Sequence, residues 1–166
     1  MAETDISVWN WRVIQAGKKA EERDCSCRKV ENCPLEGKCL HKNVIYQATV
    51  TPNQNKDQAK NYIGLTSTTF KERLGNHKFS FRHREHRKET TLSQHVWDLI
   101  GNGTPYDIHW KLVNKAKPFS PVSGICELCL VEKFYIMFRP ELATINKRDE
   151  INNYCPHKIS ALLGNT

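Results

Sequence analysis

The 166-residue sequence lacks an apolar run long enough to cross a lipid bilayer. The longest candidate, Ile125 to Phe138, is interrupted by Glu127, Glu132 and Lys133. The chain also lacks internal repeats, low-complexity tracts and a basic-then-apolar leader, which argues against a solenoid, a disordered protein and a secreted protein. We therefore expect a globular domain with no membrane partner, as the 39% hydrophobic and 26% charged composition also indicates.

Acidic residues are scarce relative to basic ones: 18 Asp and Glu stand against 25 Lys and Arg, which gives a formal net charge of +7. This balance favours an anionic partner, and nucleic acid is the leading candidate. Between Lys71 and Lys88, seven bases and two acids give a charge of +5. This basic strip could follow a phosphate backbone, or it could be an ordinary solvated helix end and loop. Its DNA-binding candidates are Lys71, Lys78, Arg82, Arg84, Arg87 and Lys88.

The seven cysteines cannot all pair in disulfides. In a reducing compartment, clustered cysteines are more often metal ligands. Four thiolates within 15 residues match the ligand number of a closed structural zinc site, and this first set is Cys25, Cys27, Cys33 and Cys39. A second candidate zinc set is Cys126, Cys129, Cys155 and His157. Three alternatives stay open: Cys126 and Cys129 as small buried residues, His41 as a ligand of the first site, and ligands mixed between the sets.

Local patterns predict three strands and three helices. β-Branched and aromatic residues predict strands at 43–51 and 61–65, and alternation predicts a third at 106–113. A helix is predicted from a cap at Thr66 or Ser67 to about Phe81, and another over 91–100. The sequence predicts a third helix over residues 126–138, which is apolar nearly all round and is therefore expected to be central and buried. The last 25 residues are expected to be irregular. This order of elements predicts an α/β layer structure.

Two of these helices carry residues that suit chemistry. Glu132 lies in an apolar helix, where a carboxylate needs a cation, an Arg or a metal ion beside it. Arg73 and His77 lie four residues apart, so they share a helix face that Phe70 and Leu74 turn toward the body of the protein. An Arg in that position suits a phosphate or a carboxylate, although a structural Arg–Glu bridge would fit as well.

The motifs together resemble a known family. Val44-Ile45-Tyr46 is followed by Tyr62-Ile63-Gly64, then by Arg73 on a helix and Glu132 on an apolar helix, and this order resembles the GIY-YIG endonucleases. Over residues 25–157 the chain is most similar to the endonuclease domain of Penelope-like retroelements, in the stretches CPLEGKCLHKNVIYQATV, YIGLTSTTFKERLGNHKFSFR, LCLVEKFYI and PELATINKRDE. It departs from the family pattern in having Val44 for the first glycine, a longer loop at 47–61 and an Arg one residue later.

The resemblance implies a set of catalytic roles. Tyr46 would orient or deprotonate the attacking water, and Tyr62 would contact the scissile phosphate or share the base role. Arg73 would stabilise charge on the phosphoryl group, and His77 would assist the base. Glu132 would hold one divalent cation, Mg²⁺ or Mn²⁺, and Asn146 would support the site. Since the pKa of a free tyrosine is about 10, we expect Arg73 and the metal ion to lower that of Tyr46.

The resemblance also implies the wider organisation. The expected fold is α+β, with a three-stranded, mainly antiparallel sheet flanked by helices and a zinc knuckle at its N-terminal edge. The expected divisions are a tail or linker (1–24), the knuckle (25–41), a nuclease core (42–150) and a C-terminal tail with zinc ligands (151–166). The expected partners are DNA and a fused or associated reverse transcriptase, and the expected location is the nucleus. The oligomeric state stays open.

Two functions of other classes compete with the nuclease. One is an inactive, zinc-stabilised nucleic-acid-binding module, which would retain the basic strip and the cysteine sets but would not cut. The other is a zinc-dependent protein-interaction domain, for which the basic strip would be incidental. The sequence favours the enzyme, because six candidate site residues occur together in one chain: Tyr46, Tyr62, Arg73, His77, Glu132 and Asn146.

Overall fold

The structure is a computed structural model that describes residues 23–148 and 154–163. Most of the predicted tail at 1–24 and parts of the C-terminal tail therefore lie outside the described residues. Within the described ranges the architecture is α+β, with a three-stranded antiparallel sheet and four α-helices. No helix of this part of the chain is long and apolar enough to cross a membrane.

The sheet has a central strand with one neighbour on each side. β1 (Val44–Pro52) pairs with β2 (Lys60–Thr66) and with β3 (Tyr106–Lys115), so the order is β2-β1-β3. Both pairings are antiparallel, as expected from the family resemblance. In the β1–β2 register Tyr46 lies opposite Gly64, which brings the two tyrosine triplets side by side. The three predicted strands are confirmed: β1 is shifted by one residue from its predicted bounds, and β2 and β3 are slightly longer than predicted.

One face of the sheet is covered by two helices and the cysteine-rich segment. Because side chains alternate along a strand, Tyr46, Ala48 and Val50 share this face of β1. They pack with residues of α1 (Phe70–Ser80) and α2 (Thr91–Gly101), and with the knuckle residues Cys33, Leu35 and Cys39. The cysteine-rich segment is therefore part of the main core of the domain.

The opposite face of the sheet is covered by α3 (Glu127–Phe138). Ile45 and Ile63 pack there against Leu128 and Ile136. The expectation that this helix is central and buried is wrong: its outer side exposes Leu130, Phe134, Met137 and Phe138. The sequence is apolar on both sides of the helix, but only one side has a partner among the described residues.

The beginning of α1 differs from the prediction. Thr66 cannot cap the helix, because it is the last residue of β2 and pairs with Val44. The cap is Thr69, whose side chain accepts a hydrogen bond from the backbone N–H of Glu72 at 3.2 Å. Residues 67–69 thus form a short loop between β2 and α1, and this loop borders the site described below.

The C-terminal part of the chain is more regular than expected. A short hairpin formed by β4 (Phe119–Ser120) and β5 (Ile125–Cys126) precedes α3. A further helix, α4 (His157–Leu163), follows α3 in the chain. Between the two helices, residues 144–146 run along the outer edge of β2, where the Ile145 N–H donates to the Asn61 carbonyl at 2.8 Å. This segment covers an edge that would otherwise expose unpaired backbone groups.

Candidate active site and metal centres

A cleft of about 350 Å³ opens where β2 ends and where α1 and α3 approach each other from opposite faces of the sheet. Residues 65–68, which comprise the end of β2 and the start of the loop that follows it, line the cleft. Arg73 and Asn76 line it from α1, and Glu132 and Lys133 line it from α3. The structure therefore brings together the Arg and the Glu that the sequence analysis singled out, although they lie 59 positions apart in the chain.

Tyr46 lies beside Arg73, one of the residues that line this cleft. It is fully buried, and its ring packs against Phe70, His77 and Trp110. The Nε of Arg73 donates a hydrogen bond to the Tyr46 hydroxyl at 3.0 Å, and that hydroxyl lies 2.7 Å from Nε2 of His77. The guanidinium group thus has one edge fixed by the protein and lies at the cleft.

Tyr62 contributes a second contact to the same guanidinium group. Tyr62 is buried on β2. Burial acts to lower the pKa of Arg73, but its interactions with Tyr46 and then with Tyr62, which include a side-chain hydrogen bond with each, raise that pKa above its ordinary value. The ring of Tyr62 also lies edge-on to His77 at 6.1 Å. Arg73 therefore connects the tyrosines of the two triplets, which sit on neighbouring strands.

Gly64 leaves room for this arrangement. A Cβ atom on Gly64 would lie 2.5 Å from the Tyr46 hydroxyl oxygen and 2.8 Å from Cε1 of Tyr62. Such contacts are too close for any side chain, so a glycine is required opposite Tyr46. Close packing around Gly64 thus explains why the second triplet ends in a glycine. The sequence pattern alone did not supply this reason.

The pKa shifts of Tyr46 and His77 indicate which of these two groups carries a proton or a charge near neutral pH. Burial raises the pKa of Tyr46; Arg73 opposes this shift without overcoming it, and Glu132 reinforces it. Arg73 acts to lower the pKa, as expected, but burial outweighs it, so the protein groups keep Tyr46 protonated. Burial, together with the charge of Arg73, lowers the pKa of His77 to about 3. Near pH 7 His77 is neutral and shares one hydrogen bond between its Nε2 and the Tyr46 hydroxyl.

Asn146 ties the C-terminal segment to the middle of β2. Its Oδ1 accepts a hydrogen bond from the Ile63 N–H at 2.8 Å, and its Nδ2 donates to the Ile63 carbonyl at 2.9 Å. Asn146 therefore pairs with Ile63 as another strand would, between Tyr62 and Gly64. Its contact with the region of the two tyrosines runs through β2.

The first cysteine set forms one compact cluster. The Sγ atoms of Cys25, Cys27, Cys33 and Cys39 all lie within 4.8 Å of one another. Two separations, 3.8 Å for Cys27–Cys39 and 3.6 Å for Cys39–Cys25, are close to the edge of about 3.8 Å that a tetrahedron of Zn–S bonds would have. This cluster at the N-terminal side of the domain could hold a metal ion such as zinc.

The thiol pKa values of this cluster diverge, as expected for thiols packed together. The hydrogen bond with Cys25 and burial raise the pKa of Cys27 to about 12. Burial alone would raise the pKa of Cys33, but the backbone N–H groups of Leu35 and Gly37 lower it to about 7. A bound cation would stabilise all four thiolates together and would lower the pKa values of the thiols.

The second set also forms a cluster that could hold a metal ion such as zinc. The ligand atoms of Cys126, Cys129, Cys155 and His157 all lie within 4.8 Å of one another. The Nδ1 atom of His157 lies 3.3 Å from Cys129 Sγ and 3.6 Å from Cys126 Sγ. A tetrahedral zinc site has an S–N edge of about 3.6 Å. Cys129 and His157 also line the cleft, so this cluster joins the C-terminal segment to the wall that carries Glu132.

The alternatives for the cysteines are resolved by this geometry. All seven cysteines are described and none is in a disulfide. Cys126 and Cys129 belong to a cluster that could hold a metal ion. His41 lies outside the first cluster, because its Nε2 pairs with Asp24 at 2.6 Å. The two clusters share no residue, so mixed ligand sets are not required.

The basic strip divides into two parts. Lys71 donates to the Ser26 hydroxyl at 2.6 Å, which ties it to the knuckle. The exposed side chains of Arg84, Arg87 and Lys88 line a second cavity of about 480 Å³ beside Trp97. Lys78 and Arg82 are also exposed. The predicted DNA-binding residues are thus accessible, and most lie at the α1–α2 connection, away from the knuckle.

Sequence analysis missed Asn76 as a cleft residue. Asn76 lies three positions after Arg73 on α1 and lines the same cleft. Helical spacing places residues three apart on neighbouring surface positions, so the signal was present once Arg73 had been chosen.

Comparisons of the chain with protein-family profiles, with curated proteins and with solved structures find no match.

Proposed function

We propose that this chain is a metal-dependent DNA endonuclease of the GIY-YIG type, which nicks one strand by hydrolysing a phosphodiester bond. The observation that supports this proposal most is the placement of Arg73. Its guanidinium group contacts the tyrosines of both triplets and lines the same cleft as Glu132. An Arg held in this way presents fixed positive charge to an anionic group that enters the cleft.

The residues divide the work of phosphodiester hydrolysis. Arg73 binds the non-bridging oxygens and stabilises the negative charge that develops on the transferring phosphoryl group. Tyr46 is a positioning residue, since it is fully buried and holds the guanidinium group. His77 fixes the Tyr46 hydroxyl in turn. Tyr62, beside Arg73, orients the phosphate or the attacking water.

The cleft suits a divalent cation of the magnesium type. Mg²⁺ is usually bound by one or two carboxylates together with waters and substrate phosphate oxygens. Glu132 supplies one carboxylate at the cleft, so it would hold the ion, either Mg²⁺ or Mn²⁺. When bound, the ion supplies Lewis-acid stabilisation of the phosphoryl and leaving oxygens.

Zinc serves a structural role in this proposal. The first cluster would fix the knuckle against the core that contains Tyr46. The second would fix the C-terminal segment to α3, three residues before Glu132. Closed sites with four protein ligands leave no open position for substrate, which fits structural sites.

The proposed biological setting follows the resemblance to Penelope-like retrotransposons. A nick exposes a 3′-hydroxyl group, which can prime reverse transcription at the target. In this setting the partners are DNA and a fused or associated reverse transcriptase, and the activity takes place in the nucleus.

The test is nicking of supercoiled plasmid in Mg²⁺ by the zinc-loaded wild-type chain and by Glu132→Gln. We expect nicking by the wild-type chain and a loss of at least about a hundredfold in the variant, because the carboxylate that would hold the ion is removed. Glu127→Gln is the matched control: it lies on the same helix outside the cleft and keeps an oxygen that can accept from Lys117 N–H. Equal nicking by the wild-type chain and Glu132→Gln would refute the assigned site.

A second candidate is an inactive, zinc-stabilised nucleic-acid-binding module. It draws support from Tyr46, which is buried and protonated and so is poorly suited to act as a base. This candidate predicts salt-dependent DNA binding with no nicking by a folded, zinc-loaded wild-type chain.

A further inference from the structure

Phe79 is an exposed aromatic residue that is held in place by two histidines. Its side chain on α1 is 48% exposed. The ring of His83 stacks on it at a centroid distance of 4.0 Å, and His86 meets it edge-on at 4.9 Å. His83 is itself fixed, because its Nδ1 donates to the Phe79 carbonyl at 2.9 Å. The result is an aromatic cluster in which about half of the Phe79 side chain remains exposed to solvent.

Phe79 follows two cleft residues along α1. Arg73, Asn76 and Phe79 are spaced three residues apart, so neighbouring Cβ atoms are about 5–6 Å apart. Arg73 and Asn76 both line the cleft, and Phe79 is the next residue outward. Six residues of helix span about 9 Å, which equals two to three base steps of about 3.4 Å.

Basic residues lie close to Phe79, because His86, which contacts its ring, stands between Arg84 and Arg87 in the chain. Arg84, Arg87 and Lys88 follow Phe79 in the α1–α2 connection and line the cavity beside Trp97. The acids of this connection are Glu85 and Glu89, and Glu89 pairs with His86. Stacking rings within a cationic surface are the features by which proteins bind unpaired nucleic acid strands.

We propose that Phe79 is a stacking platform for an unpaired DNA base, with the adjoining phosphates held by Arg84, Arg87 and Lys88. The position of that base, two to three nucleotides from the cleaved bond, rests on the proposed nuclease function. The base is unpaired, because within an intact duplex its faces are already covered by neighbouring base pairs. The enzyme would accordingly prefer DNA with a single-stranded or splayed segment beside the cut.

The test measures binding in the absence of cutting. The Glu132→Gln chain, without added divalent ions, is titrated with a single strand of about 12 nucleotides that carries 2-aminopurine, and with the matching duplex. We expect quenching of 2-aminopurine on the single strand. Phe79→Ala should abolish this quenching and weaken single-strand affinity about tenfold, because stacking on one aromatic ring contributes that much or more. Phe79→Trp should preserve both.

Phe134→Ala is the matched control, because Phe134 is 49% exposed but lies on α3, away from the basic connection. It should leave affinity and quenching unchanged. The inference is refuted if the Phe79→Ala variant binds the single strand as tightly as the chain that retains Phe79. It is also refuted if that chain binds the duplex as tightly as the single strand. Plasmid nicking by the chain with Glu132 intact reports on the proposed function separately, so failure of the stacking platform and failure of the nuclease are distinguishable.

Discussion

Gly64→Ala tests whether the two tyrosine triplets form one packed unit. The added methyl carbon would lie 2.5 Å from the hydroxyl oxygen of Tyr46, 2.7 Å from its Cζ and 2.8 Å from Cε1 of Tyr62. Tyr46 cannot turn aside easily, because its ring is fully buried and packs against Phe70 and Trp110. Relief of the clash therefore requires movement of β2 or of the Tyr46 ring.

The expected cost combines two effects. Overpacking a core typically costs about 1–3 kcal/mol. Moving the Tyr46 hydroxyl also weakens its hydrogen bonds with Arg73 and His77, each worth about 1 kcal/mol. We therefore expect Gly64→Ala to lower the free energy of unfolding by about 2–4 kcal/mol. Nicking should fall more steeply than stability, because Arg73 loses its fixed position.

Urea unfolding of the zinc-loaded chain measures this cost. Gly75→Ala is the matched control, because a Cβ atom there meets nothing within 4 Å and Gly75 lies inside α1. Replacing a helical glycine by alanine should raise the free energy of unfolding by about 0.5–1 kcal/mol. If Gly64→Ala is as stable as the wild-type chain and nicks as fast, the packing of Tyr46 against Gly64 is not what the structure indicates.

Three further predictions concern the groups around this unit. Between pH 6.5 and the His77 pKa of about 3, the unfolded chain binds one more proton than the folded chain at this site. On account of His77, the free energy of unfolding should therefore fall by about 2 kcal/mol from pH 7 to pH 5. The variant His77→Gln should lack this part of the pH dependence. The prediction is contradicted if the free energy of unfolding, measured in urea, has the same pH slope in the variant as in the wild-type chain. Elemental analysis should find about two zinc ions in each wild-type chain. The variants Cys39→Ser and Cys129→Ser should each bind about one zinc ion and have a lower Tm than the wild-type chain. An unchanged zinc content in either variant would exclude the cluster to which that cysteine belongs. Asn146→Asp should lower the free energy of unfolding by about 1–3 kcal/mol, because the carboxylate cannot donate to the Ile63 carbonyl, and an unchanged urea midpoint would contradict the bidentate pairing.

The elements that follow a local pattern could be predicted from the sequence. β1 and β2 are short, β-branched segments bounded by turn residues, and their observed bounds differ from the predicted ones by one residue at each end. The spacing of the cysteines indicated the two sets but left mixed sets open, and the structure groups the ligand atoms into those two sets. Arg73 and His77 could be placed on one face because helical spacing fixes it.

Features that depend on packing between distant segments could not be predicted. The sequence of α3 is apolar on both sides, so nothing local indicates that only the side with Leu128 and Ile136 faces the sheet. The pairing of Asn146 with Ile63 joins residues 83 positions apart. The raised pKa of Tyr46 results from burial, which residue spacing does not reveal; the sequence indicated only the opposing charge of Arg73.

The central claim is that Arg73, held by Tyr46 and Tyr62 beside Glu132, stabilises the transferring phosphoryl group. The most direct test compares the single-turnover rate of plasmid nicking in Mg²⁺ by the zinc-loaded wild-type chain and by Arg73→Lys, with Arg82→Lys in the basic strip as the control. We predict nicking by the wild-type chain and by the control, and a loss of about a hundredfold or more in Arg73→Lys with folding retained, because lysine cannot hold the tyrosines and the phosphate with one planar group. Nicking by Arg73→Lys at the wild-type rate would contradict the role of Arg73, and absence of nicking by the folded wild-type chain would contradict the nuclease.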